Sequence, residues 1–230
     1  MLEAVGEEIW TAVGPIARDF GMPFPTRMVI VRLHDGTVWI DSPVAAGEDT
    51  WSAIRALGPV RYLSAGTPRH AWRLERCRAF APDAELWLSP RPPGRARRLG
   101  GARLLGDEAP EAWAPDVEQI VFRGSAALEE VVFYHRPSRT VIMGDLVQSH
   151  RLRPGHPLVN AVVRWSDALA PDGGVPRDIR ATFRDLETAR RSLRAVLAWD
   201  FDRLVIGHGD WVQGDARAFV ARALGWLGTP

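Results

Sequence analysis

Two apolar runs in this chain each break off at a glycine followed by an ionisable side chain. Val141-Ile142-Met143 ends in Gly144-Asp145, and Leu204-Val205-Ile206 ends in Gly207-His208-Gly209. A carboxylate and an imidazole can ligate a metal ion, or they can act as an acid–base pair that activates water. A second imidazole, His70, follows the run Val60 to Ser64 across the loop that starts at Gly66. Two imidazoles and one carboxylate suffice to hold one Zn or Fe with positions left for water or substrate, and the same set suits non-haem Fe(II) oxidation. These residues lie far apart in sequence, so only the fold can bring them together.

The elements that must do so are strands covered on both faces. β-branched and long apolar residues favour such strands, and the glycines let the chain turn sharply at the sheet rim. α/β proteins commonly place their sites at strand tips of this kind. Upstream, Met28 to Leu33 and Val38 to Asp41 flank His34-Asp35-Gly36-Thr37, a hairpin signal. Gly47 to Leu57 carries Trp51, Ile54 and Leu57 at helical spacing, with Asp49 or Thr50 as cap and Gly58-Pro59 as stop. The strand Val60 to Ser64, a helical stretch Ala71 to Phe80 and the strand Glu85 to Leu88 continue a βαβαβ alternation. That alternation predicts a parallel or mixed sheet with helices packed on it.

Pro90 to Gly101 carries four arginines among prolines and glycines and reads as an exposed loop rather than an anion site. Val117 to Phe122 and Val131 to Tyr134 read as strands. His150 to Arg177 reads as a long irregular lid or binding loop. Ile179 to Trp199 reads as one long amphipathic helix and Ala216 to Leu227 as another.

At 230 residues, with 46% hydrophobic and 25% charged residues and a net charge of +1, the composition is that of one globular domain spanning 1–230. Near-neutral charge gives no electrostatic case for nucleic acid. All basic residues are arginine, which carries no functional weight here. The lone Cys77 excludes an internal disulfide framework and a cysteine metal cluster. Met1 to Ala12 lacks the pattern of a secretory leader, and no stretch approaches the roughly 20 apolar residues needed to span a bilayer. The expectation is a soluble, cytoplasmic protein without membrane or nucleic-acid partners that acts on a small molecule, with a homo-oligomer left open.

The order of these features resembles the metallo-β-lactamase superfamily over nearly the whole chain. VWIDSP is similar to its second strand and acidic turn, and SAGTPRHAWR falls where the HxHxDH metal loop belongs. VIMGDL is similar to the strand carrying the bridging aspartate, and LVIGHGD to the strand carrying the last histidine. PTRMVIVRLHDGTVWIDSP, EEVVFYHRPSRTVIMGDL and AWDFDRLVIGHGD resemble a branch known only as a domain of unknown function. The resemblance implies a four-layer αββα sandwich and a metal site built on His70, Asp145 and His208.

The chain departs from that pattern in the metal loop. Against HxHxDH only the middle histidine, His70, remains; Pro68, Trp72 and Arg73 replace the first histidine, the aspartate and the last histidine. No histidine occurs between Gly124 and Glu130, where another ligand belongs, although Glu129 or Glu130 could offer a carboxylate. At most one ion is expected, Zn or Fe, and a metal-free site stays open. Arg73, with Trp72 beside it, is expected to bind substrate. His34 and His135 are read as surface or structural, and Trp165 and Trp211, like Trp72, as core residues by default, as most of ten tryptophans must be, or else as the lining of an apolar pocket.

Three functions fit these residues. The first is a hydrolase of an ester, lactone or thioester, in which Asp145 and His208 are catalytic with one metal or as a metal-free pair. The second is a non-catalytic ligand-binding or interaction module that keeps the fold without a full metal site. The third is the iron-dependent oxidation already noted.

Overall fold

The computed structural model describes residues 1–19 and 22–228. β1 (Glu3–Gly6), β2 (Ile9–Asp19) and β3 (Met22–Arg32) form an antiparallel meander, and β4 (Val38–Asp41) pairs with β3 across the Asp-Gly turn. In that turn the Asp35 carboxylate accepts the Thr37 N–H at 2.8 Å, and Gly36 adopts φ +81°. α1 (Glu48–Leu57) crosses to β5 (Val60–Ala65), α2 (Leu74–Cys77) leads towards β6 (Glu85–Leu88), and β7 (Arg103–Leu104) closes the edge. β4 to β7 are parallel, and the seven strands lie in sequence order in one sheet.

The second sheet has the order β12-β11-β10-β9-β8. β8 (Val117–Phe122), β9 (Glu130–His135) and β10 (Thr140–Met143) are antiparallel neighbours. α3 (Pro157–Trp165), α4 (Arg177–Arg180) and α5 (Leu186–Ala198) follow before β11 (Arg203–Ile206), which lies parallel to β10. β12 (Val212–Gln213) and α6 (Ala216–Ala223) complete this half.

Strand alternation sorts the apolar residues into layers. In β3, Val29 and Val31 face the second sheet, while Met28 and Ile30 pack in the cluster that contains Trp51 of α1 and Leu74 of α2. In β10 and β11, Ile142 and Val205 meet that same inter-sheet layer, whereas Val141, Met143, Leu204 and Ile206 pack with Leu193 and Val196 of α5 and Phe219 of α6. Three apolar layers between two sheets and two sets of helices make a four-layer αββα sandwich. Among the described residues, no helix is long and apolar enough to cross a membrane.

Several local expectations change. The N-terminal residues, read only for a leader, form β1 and β2. Gly47, not Asp49 or Thr50, occupies the N-cap of α1, and Glu48 and Asp49 instead place negative charge in its first turn. Ala71 to Phe80 is helical only in short pieces, a 3-10 segment Pro68–Arg73 followed by α2. The Arg-rich loop contains a 3-10 turn, Ala96–Arg98, that buries Ala96. The irregular lid contains α3, which starts at Pro157, a residue preorganised for a first helical position. The expected helix Ile179 to Trp199 is broken. Arg184 and Asp185 donate their N–H groups to Gly124 O, and Asp185 then caps α5 by accepting the Thr188 N–H at 2.9 Å.

Candidate metal centre

The parallel register pairs Met143 with Ile206, so Asp145 and His208, two residues further along each strand, emerge side by side. The approach is close enough to demand glycine. A Cβ on Gly207 would lie 2.5 Å from Gly144 O and 3.1 Å from His70 Cε1. His70 comes from the first sheet, in the 3-10 segment after β5. The two sheets are joined at this point, where Val131 N–H donates to Gly66 O at 2.7 Å.

His70, Asp145 and His208 therefore converge from two sheets, with one ligand atom of each within 4.8 Å of the others. Nε2 of His208 lies 3.0 Å and Nε2 of His70 3.6 Å from the same atom, Asp145 Oδ1. The two imidazoles stand edge to face, with ring centroids 5.4 Å apart. Asp145 is 1% exposed, and its other oxygen accepts the Thr67 hydroxyl.

The outer nitrogens of both rings are fixed from behind. His208 Nδ1 lies 2.7 Å from Pro25 O, a carbonyl that can only accept, so Nδ1 carries a proton. His70 Nδ1 lies 2.7 Å from Ser42 Oγ, whose own proton goes to Asp41 Oδ2 at 2.7 Å, so His70 also donates from Nδ1. Asp41 further accepts Ser64 Oγ–H at 2.8 Å and Gly66 N–H at 2.9 Å. Burial pushes the Asp41 carboxyl up, but its partners all donate, which suits the carboxylate.

Both Nε2 lone pairs are thereby aimed at a carboxylate oxygen, and three acceptors facing one another call for a proton or a cation. Burial alone would raise the Asp145 carboxyl, yet the two imidazoles and Thr67 outweigh it and hold it well below the ordinary carboxylate range. Burial pushes His70 down to about 4. Burial also opposes a charge on His208, but Asp145 and the Pro25 carbonyl overcome it and raise this imidazole. Without a cation, the single proton shared at this centre sits on His208. With neutral Nε2 donors and an ionised carboxylate, the donor set fits one divalent ion.

Glu130 contributes support rather than a ligand. Its carboxylate accepts the N–H groups of Gly144 at 2.7 Å, Asp145 at 2.7 Å and Leu146 at 2.9 Å, clamping the turn that carries Asp145. Burial and the charge on Asp145 push its carboxyl up to about 8. Every partner is a donor, however, and the geometry accommodates the carboxylate. Glu129 turns away and pairs with Arg91 at 3.1 Å. Neither of the carboxylates considered from sequence as substitute ligands reaches the centre.

A cavity of about 310 Å³ opens over the three residues, and Trp72 and Arg73 line it. Trp72 is 53% exposed, and Arg73 Cζ lies 4.2 Å from the centroid of its ring. Arg27 also lines it: its Nη1 donates to the carbonyl of Gly209, and its buried Nε has no partner among the described residues. Trp165 lines a neighbouring cavity, whereas Trp211 packs between the sheets and donates to Glu3 at 3.0 Å. His135 is buried against Ser138, and His34 is paired with Asp116 at the surface.

A profile of the family described as Domain of unknown function (DUF4336) matches residues 8–160. The chain belongs to this family. No curated protein matches it. Among solved structures, this DUF4336 member is similar to a metallo-β-lactamase from Pontibacter korlensis (TM-score 0.66, 13% identity, 100% of this chain and 99% of that one). It is also similar to the metallo-β-lactamase FIM-1 from Pseudomonas aeruginosa, solved in a mono-zinc form (TM-score 0.64, 12% identity, 100% and 96%). A third likeness is to the metal-soaked Flv1 flavodiiron core from Synechocystis sp. PCC6803 (TM-score 0.65, 12% identity, 99% of this chain and 60% of that one). At such identities the likeness shows the fold, which is that of the metallo-β-lactamases.

Ser42, Thr67 and the Pro25 carbonyl leave no mark in the sequence as parts of a centre, and Glu130, read there as a possible ligand, serves it as a clamp instead. Asp41-Ser42 was visible as an acidic turn, but a serine's service to a histidine 28 residues away leaves no local signal. A backbone carbonyl leaves none at all.

Proposed function

We propose that this DUF4336 protein is a hydrolase of an ester, lactone or thioester that uses a single ion, Zn or Fe, held by His70, Asp145 and His208. The observation that carries the reading is the convergence of two Nε2 atoms, each backed by an Nδ1–H hydrogen bond, on one buried carboxylate oxygen. When bound, the ion supplies Lewis-acid polarisation of the scissile carbonyl and makes a water acidic enough to ionise near neutral pH.

The protein's own residues orient and sort. Thr67 and the amides clamped by Glu130 hold Asp145 in place, so its charge is preorganised rather than gathered during reaction. Asp145 and His208, the proposed catalytic residues, present Oδ1 and Nε2 3.0 Å apart, and these two atoms would hold the ion beside the water it activates. Arg73, flanked by the Trp72 ring, presents a guanidinium to a negative group on the substrate. Pro68, Trp72 and Arg73 stand where the HxHxDH pattern has ligands, which limits the centre to one ion.

The test is elemental analysis of protein purified without chelator, together with hydrolysis of p-nitrophenyl acetate, a γ-lactone and an acyl thioester. About one equivalent of Zn or Fe, lost together with turnover in His208→Ala, supports the reading. Trace metal with no turnover of any of the three overturns it and leaves a binding module, and turnover indifferent to His208→Ala and Asp145→Asn overturns it by placing the chemistry elsewhere.

A further inference from the structure

α3 stands apart from the core. Of its nine residues only Val163 is buried, and Val163 belongs to none of the three apolar clusters. Leu158, Val162 and Trp165, at i, i+4 and i+7 along the helix, are 83%, 45% and 61% exposed. An apolar stripe withheld from the core and set beside a cavity is suited to a ligand.

The cavity beneath α3 measures about 190 Å³; Phe24, Val162, Val163, Trp165 and Pro176 form its apolar side, and Ser166 and Asp178 also line it. It borders the larger cavity over the metal centre, and the two share Phe24, Arg69 and Gln148. The Phe24 ring is the partition: its centroid lies 5.3 Å from that of His208 on one side and 5.5 Å from that of His150 on the other. His150 donates to Gln148 Oε1, and Gln148 donates to Asp145 O at 3.0 Å, so the same wall touches the backbone of the centre.

We propose that the compartment under α3 receives an unbranched apolar acyl group of the substrate, whose carbonyl lies at His70, Asp145 and His208, and that Val162 and Trp165 set the accepted length. The proposal rests on the hydrolase reading. A volume of about 190 Å³ corresponds to roughly six water-sized volumes at about 30 Å³ each, the scale of a medium-length chain. The substrate class is thus a medium-chain acyl ester or thioester, not a short one.

The test is calorimetric titration of the full-length protein with acetate, butanoate, hexanoate, octanoate and decanoate, which mimic the acid released by hydrolysis. Affinity is expected to rise about fourfold per methylene and to level off between hexanoate and octanoate. Trp165→Ala and Val162→Asp are expected to flatten the rise without lowering the Tm, since both side chains are largely exposed. Equal or absent binding across the series overturns the proposal, as does a rise that survives both variants. A length-dependent rise without hydrolysis of the matching p-nitrophenyl esters sinks the hydrolase reading alone. Hydrolysis of acetate and octanoate esters at equal rates, with no rise, sinks the compartment alone.

Discussion

Asp145 and His208 leave adjacent parallel strands at the same level and meet through a 3.0 Å contact between Oδ1 and Nε2. Each side chain is buried, so neither can be removed without exposing the other to an unmet partner. Asp145→Asn and His208→Ala are each expected to abolish stoichiometric Zn or Fe binding, as measured by elemental analysis after dialysis. Retention of about one equivalent in either variant would show that the ion, if any, sits elsewhere.

Ser42 serves the centre only through His70. Ser42→Ala removes the acceptor for His70 Nδ1–H, frees the tautomer and leaves the ligands in place. Metal affinity is expected to fall about 10- to 100-fold, measured by competition with a chromophoric chelator. An unchanged affinity would mean that the ring is oriented by packing alone.

Glu130 satisfies three buried N–H groups, and Glu130→Ala leaves them without partners. A loss of roughly 3 kcal/mol in unfolding free energy is expected from urea denaturation. Glu130→Gln is expected to lose less, because its amide oxygen can still accept.

His135 is fully buried and neutral, and burial lowers its pKa from 6.5 to about 4. The unfolded chain takes up this proton as the pH falls below about 6.5, while the folded protein does so only near 4. Stability is therefore lost on acidification across that window, by an amount approaching about 3 kcal/mol for this one group. His135→Asn keeps a donor towards Ser138 Oγ but cannot titrate. Unfolding free energies at pH 7 and pH 4.5 should differ less in this variant than in the wild type; an identical difference would remove His135 from the acid response.

Among the described residues Arg73 forms no ion pair, and its charge is flanked by the Trp72 ring. Arg73→Gln is expected to weaken binding of an anionic ligand about tenfold or more and leave the Tm unchanged. If inorganic phosphate and a dicarboxylate bind both proteins alike, Arg73 has no part in holding negative charge.

Much of this architecture is legible in the sequence because it rests on short-range patterns. The apolar runs into Gly144-Asp145 and Gly207-His208 report buried strands with tight exits, and Asp35-Gly36 reports a hairpin. What stays hidden depends on partners remote in the chain. Nothing near Phe183 shows that Gly124 O will accept two N–H groups and end the helical run, although Asp185 and Thr188 together are a visible cap. The role of Glu130 is hidden for the same reason: a glutamate in a strand gives no hint that it will hold the turn after the next strand.

The centre draws His70 from one sheet and Asp145 and His208 from the other. An ion bound there would work as a rivet through the seam of the sandwich. Its free concentration would then govern how firmly the two halves of the chain are clasped, with each tenfold excess over Kd adding about 1.4 kcal/mol against their separation. The chemistry of the site and the cohesion of the molecule would share a single thermodynamic handle.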